Sequence, residues 1–230
     1  MKQTVLALSF ILAAARLASA GPCVTGSLAD YIALGPDGCT IGANTVANFT
    51  ILIGISGADP ISPADLTISP LADTFHPGLQ TSTDTSASAG DLLEAFFRYD
   101  IFGSTYVASA ITLGGSSESG DGAVSYVQNF CAGGVFALGG LSDCTGIPGD
   151  LVTLDGTQNQ DSAALGPVSF LNVTDDLVFD GGLAGSASGG LVSDRFTAVP
   201  EPSTFLFMGL GLAFTMRLAW RALRLNSSGN

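Results

Sequence analysis

Lysine occurs once in this 230-residue sequence, at Lys2, histidine once, at His76, and tryptophan once, at Trp220. Between residues 21 and 200 the only cations are Arg98 and Arg195, set against nineteen acids, a net −17; the first twenty and the last thirty residues each carry +2. A middle so poor in positive charge argues against nucleic acid and anionic lipid surfaces as partners, because both are held by clustered Lys and Arg. A single histidine, in the turn-like Phe75-His76-Pro77-Gly78, leaves nucleophilic hydrolysis short of a base. G-x-S-x-G is absent: the nearest stretch, residues 185–189 (GSASG), has alanine where the nucleophile belongs. Zinc is equally poorly served, with no C-x-x-C. No repeat of fixed period stands out, which argues against solenoids and propellers.

What is present divides the chain in three. Residues 1–20 read as a signal peptide: Lys2, an apolar stretch at residues 5–15 (VLALSFILAAA), then small residues Ala18 and Ala20 at the −3 and −1 positions of a cleavage site. The apolar stretch is too short to span a bilayer, which takes about 20 residues. At the other end, Pro200-Glu201-Pro202 precedes FLFMGLGLAFTM and then Arg217, Arg221 and Arg224. The arginines favour the cytoplasmic side, so this reads as a C-terminal anchor with the acidic part outside. Its residues 204–216 give roughly 20 Å of helix, against a hydrocarbon core of about 30 Å. Extension to Trp220 (a helix over 204–220) therefore requires Arg217 to snorkel to the headgroups. The six Phe and Leu residues of 205–214 supply about −2 to −4 kcal/mol, which one central arginine would cancel. Such a weak anchor suits a temporary one.

A Pro-Glu-Pro followed by a short apolar helix and an arginine cluster resembles the PEP-CTERM sorting signal of Gram-negative bacteria. The resemblance implies recognition by a membrane-embedded exosortase, cleavage near Pro200, Glu201 and Pro202, passage through an inner-membrane-anchored intermediate, and delivery to the cell surface or medium in association with exopolysaccharide and biofilm. The stretches GSLADYIALGPDGCTIG (residues 26–42) and VSDRFTAVPEP (residues 192–202) are also similar to a recurrent group of exported PEP-CTERM proteins. That second likeness transfers no catalytic or binding residue. The sequons at Asn48, Asn172 and Asn226 carry little weight in a bacterial chain.

All four cysteines, Cys23, Cys39, Cys131 and Cys144, fall in the acidic middle, and an exported chain meets an oxidising compartment, so disulfides are expected. Of the three connectivities, Cys23–Cys39 with Cys131–Cys144 is favoured, because each pair flanks a Gly-containing segment able to turn back on itself.

Periodicity in the middle is mainly two. Phe49, Ile51, Ile53 and Ile55 alternate with other residues, as do Ala95, Phe97, Tyr99 and Ile101; Val124, Tyr126, Gln128 and Phe130; Val168, Phe170 and Asn172; and Leu177 and Phe179. Breaks at 57–63, 81–90, 114–122, 146–149 and 181–190 predict eight to ten strands in an all-β, antiparallel β-sandwich or jelly-roll-like ectodomain over residues 21–198. Residues 81–90 (TSTDTSASAG) read as an exposed low-complexity loop. One short helix is conceivable at residues 27–34, with Ser27 as N-cap and Asp30 at the third helical position.

Chemistry is sparse. Most acids are aspartates suited to solvated turns; Glu94 and Asp100 lie in an apolar strand with Arg98, which is expected to pair with one of them. Calcium is the best cofactor candidate, through Asp121, Asp155, Asp180 and the Asp175-Asp176 pair, although no EF-hand is present; otherwise no cofactor is implied. The strand tyrosines Tyr99, Tyr106 and Tyr126 are expected to face the core rather than stack on sugars. These observations favour a non-enzymatic exported surface or matrix protein. The alternatives are a lectin-like binder of extracellular polysaccharide and, more remotely, a secreted hydrolase with two carboxylates in a cleft.

Overall fold

The computed structural model describes residues 20–52, 57–137 and 143–199. Within them lie twelve strands and one helix: β1 (Gly26–Ser27), α1 (Leu28–Ala33), β2 (Cys39–Ile41), β3 (Asn44–Ile51), β4 (Asp59–Pro60), β5 (Thr67–Leu71), β6 (Gly78–Ser88), β7 (Leu92–Gly114), β8 (Ser117–Ser119), β9 (Ala123–Ala132), β10 (Ile147–Leu154), β11 (Gln160–Asp180) and β12 (Ser186–Val199). The signal peptide, with Ala18, and the anchor, with Arg217, Arg221 and Arg224, lie outside the described residues, as do Ile53 and Ile55.

The strands form one sheet in the order β1-β5-β6-β12-β7-β11-β9-β10, antiparallel except where β4 runs parallel to β7. In that order β12 and β9 are separated by β7 and β11. Even so, the Tyr126 hydroxyl on β9 donates to Asp194 on β12 at 2.7 Å, and Ser109 on β7 donates to Gln128 on β9 at 2.7 Å. The sheet must therefore fold back on itself, so that its two halves face each other as a sandwich. β7 and β11 are long enough to belong to both halves, and they pair from Gln160↔Thr112 to Asp180↔Leu92.

The enclosed core follows the period-two pattern. Phe97, Tyr99 and Ile101 of β7, Val124, Tyr126 and Phe130 of β9, Leu177 and Phe179 of β11, and Phe196 of β12 are all buried, each such side chain contributing about 1.5–3 kcal/mol of apolar burial. The expected inward alternation of β7 and β9 is the observed one. On β11 the phase differs: Leu171 and Val173 point inward, while Phe170 stacks with Phe102 on the outer side of the sheet. Register shifts between Ala164 and Phe170 account for that change.

Three further departures have physical reasons. Residues 81–90 are not a loop, because Thr81 to Ser88 complete β6 between β5 and β12. There Thr81, Thr83 and Ala87 are buried in alternation, and threonine's β-branched side chain suits the pleat. β12 likewise starts inside the Gly-rich 181–190 segment. The strand count exceeds eight to ten because β1, β2, β4 and β8 are only two or three residues long and have no readable period.

The short helix is present as α1. Ser27 accepts from the Asp30 N–H, and Asp30 returns the bond to the Ser27 N–H at 2.9 Å, completing a capping box with aspartate in place of glutamate. The helix presents Tyr31 to Phe49, which stacks on Tyr99, so it closes the core beside β3.

Both favoured disulfides are formed, Cys23–Cys39 and Cys131–Cys144. Their sequence separations of 16 and 13 residues are short, and loops of that size stabilise by about 3 kcal/mol in the chain-entropy account. Replacing Cys131 and Cys144 together by Ser is expected to lower unfolding stability by about that amount. Urea unfolding of the oxidised proteins checks it.

Candidate functional site

β12 is central, paired with β6 on one side and β7 on the other, and it stays paired to its end: Ala198 and Val199 register with Tyr106 and Thr105. It stops there because the next stretch of that β7 edge is occupied. From Phe102 onward the same edge of β7 pairs with β3, beginning at Thr45. Between the two partners sits Gly103, at φ +125°, where any Cβ would run into the Ala43 carbonyl. Asn44 fixes this handover: its buried Oδ1 accepts from the Ser104 N–H at 3.1 Å and from the Tyr106 hydroxyl at 2.7 Å. β12 ends at Val199, and Pro200 follows in the sequence with no N–H to offer a strand partner. Pro200, Glu201 and Pro202 lie outside the described residues.

The segment before β6 flanks this exit. The carbonyls of Pro77 and Phe75 accept the N–H groups of Phe196 and Ala198 at 2.9 and 2.8 Å. Phe75 is exposed, and His76, in the expected turn, lies 3.6 Å from Asp73. Asp73 also accepts the N–H groups of Phe75 and His76, bonds that hold its carboxyl below the usual range.

Two acid pairs occupy the sheet itself, and they arise from one dipeptide. Asp175 and Asp176 on β11 point to opposite faces, so they cannot share a cation. Asp175 lies against Asp194, and both are fully buried between the halves of the sandwich. Tyr126 and Tyr99 donate to Asp194 at 2.7 and 3.3 Å, whereas neither Asp175 oxygen has a hydrogen-bond partner. Burial raises both carboxyls, Asp175 well above the usual range and Asp194 to about 6. Burial of two neighbouring carboxyls favours the protonated form of Asp175, because two buried like charges side by side would be prohibitively costly. On the other face Asp176 is pushed up to about 7, by burial first and by the adjacent Glu94 second.

The Asp175-Asp176 pair is thus not a turn site for calcium, and Asp194, which composition alone does not single out, joins Asp175 in the core. The available signal was phase: Asp175 alternates with Val173, Leu177 and Phe179, and Asp194 with Val192 and Phe196, all buried. The core-facing tyrosines are as expected, with Tyr99, Tyr106 and Tyr126 all buried.

Arg98 does not pair with an acid: among the described residues the ion pair is Asp73 with His76, and Asp100 is held instead by the side-chain amides of Asn48 and Asn172, each at 2.6 Å. Asp121, Asp155 and Asp180 accept backbone N–H groups in their turns, Asp121 those of Leu183 and Ala184 at 2.9 Å each. Among the described residues, no three His, Cys, Asp or Glu side chains gather as a metal site, and no helix is long and apolar enough to cross a membrane.

The chain carries a PEP-CTERM protein-sorting motif at residues 198–224, so the motif begins inside β12. No curated protein matches. Among solved structures, a periplasmic inhibitor of g-type lysozyme from Aeromonas hydrophila, PliG, is similar at 13% identity and TM-score 0.28, over 61% of this chain and 96% of its own. TmCBM61, solved with β-1,4-galactotriose, is similar at 10% identity and TM-score 0.30, over 74% of this chain and 94% of its own.

The buried acids give stability an unusual pH dependence. Their folded pKa values lie above the unfolded value near 4, so the stabilisation is complete below about pH 4 and is lost as pH rises through about 6 and 7. The domain is expected to be more stable at pH 5 than at pH 8, by an amount on the order of a few kcal/mol. Asp175→Asn, which can donate to Asp194, should flatten the difference and stabilise at pH 8; urea midpoints at the two pH values check both expectations.

Proposed function

We infer from the PEP-CTERM sorting motif at residues 198–224 that the chain is an exported protein sorted through an exosortase, and that its activity is to be delivered and retained rather than to catalyse. The observation that carries this reading is the junction: the sorting motif starts on the last two residues of β12, so the folded acidic domain is joined to it without a linker.

The order of events follows from the sequence. Residues 1–20 direct export and are removed after Ala20. The apolar run from Phe205 then holds the chain in the inner membrane, with Arg217, Arg221 and Arg224 on the cytoplasmic side. Pro200 and Pro202 keep the short connection extended, which offers it to a membrane-embedded transpeptidase. Cleavage there frees the domain for the cell surface or the extracellular polysaccharide layer. At −17 it stays dispersed by self-repulsion, and exposed acids can meet divalent ions in that layer. Support for a non-catalytic role comes from where the polar groups are spent: Asp175 and Asp194 are sealed in the core, and Asp121, Asp155 and Asp180 are engaged by backbone turns.

Intact-mass spectrometry of the natively exported protein tests this. The expected mass lacks residues 1–20 and the chain beyond about Pro202, and is four hydrogens lighter for the two disulfides. A mass retaining residues 205–230 contradicts the sorting reading.

A further inference from the structure

The exit of β12 brings a cation, the histidine and two exposed apolar side chains together. Of the two arginines between residues 21 and 200, Arg195 stands exposed on β12, four residues before the strand ends, with its Nη1 3.5 Å from the His76 carbonyl. His76 is the chain's sole histidine. Phe75, 52% exposed, is hydrogen-bonded through its carbonyl to Ala198, and Val199 is 42% exposed. The acid bonded into this corner is Asp73, whose charge Arg195 offsets. A domain of −17 thus has a near-neutral, partly apolar corner at the one point where it continues toward the membrane.

Distance makes that position consequential. Five residues link Val199 to Phe205, at most about 20 Å of fully extended chain. β12 is 14 residues long, so its opposite end lies about 43 Å away, where Leu183 is 92% exposed in the turn before the strand. With a screening length of about 8 Å, distant acids contribute little at the membrane, and the charge of the nearest corner decides whether approach is tolerated.

We propose that Phe75, His76, Arg195 and Val199 form a membrane-contact corner, which seats the domain on the lipid headgroups while the sorting motif is presented. Phe75 enters the headgroup–acyl boundary and Arg195 meets lipid phosphate. Acidic composition argues against lipid contact for the domain as a whole; the fold concentrates the exception at this corner. The inference rests on the anchored intermediate proposed above.

The test uses the full-length precursor in vesicles of phosphatidylcholine and phosphatidylglycerol containing brominated acyl chains. Trp220→Phe removes the native indole, and Phe75→Trp or Leu183→Trp installs one probe at either end of β12; both positions are exposed, so tryptophan is accommodated. Flotation of both variants is expected, with quenching at least about twofold stronger for the Phe75→Trp probe and weakened by Arg195→Gln. Equal quenching of the two probes in floating vesicles overturns the contact while leaving the anchor standing. Failure of both variants to float overturns the anchor, and the contact with it.

Discussion

One edge of β7 serves two strands in succession, and the rest of the molecule is arranged around that sharing. β12 holds the edge up to Thr105 and β3 takes it from Phe102, with Gly103 and Asn44 setting the gap between them. Neither partner can lengthen without displacing the other. The last strand therefore has a fixed terminus, and the sorting motif begins on that terminus. The structural boundary and the signal boundary coincide within two residues.

The same economy shows in the core. A sheet that folds over itself encloses Asp175 and Asp194 beside Tyr99 and Tyr126, where a wholly apolar filling would serve stability at neutral pH better. The two tyrosine donors satisfy both Asp194 oxygens, whereas those of Asp175 have no hydrogen-bond partner. The tyrosines also bridge the two halves of the sandwich, because Tyr126 and Asp194 belong to strands that are not neighbours in the sheet. The network thereby specifies how the sheet folds back as well as what fills it.

Much of this architecture was legible from residue order. The alternation of Phe97, Tyr99 and Ile101, and of Tyr126, Gln128 and Phe130, identified strands and their inward faces. Cysteine spacing pointed to the two disulfides that form, and Ser27 with Asp30 marked the helix. What composition concealed was context. Threonine and serine in residues 81–88 look like a loop until β5 and β12 are placed on either side of them. Asp194 looks like a surface acid until the sheet folds and brings Tyr126 over it. Arg98 looked like a partner for Asp100, but Asn48 and Asn172, far apart in sequence, supply that carboxylate's donors. Long-range pairing decides each of these cases, and no local pattern encodes it.

The motif's junction with β12 is most directly examined by amide hydrogen exchange on the uncleaved precursor. The account predicts that Phe196 and Ala198, bonded to the Pro77 and Phe75 carbonyls, are protected like the rest of β12, and that protection ends at about Val199. Rapid exchange already at residues 194–198 would mean a flexible stalk begins inside the strand, and would contradict the rigid attachment on which the account rests.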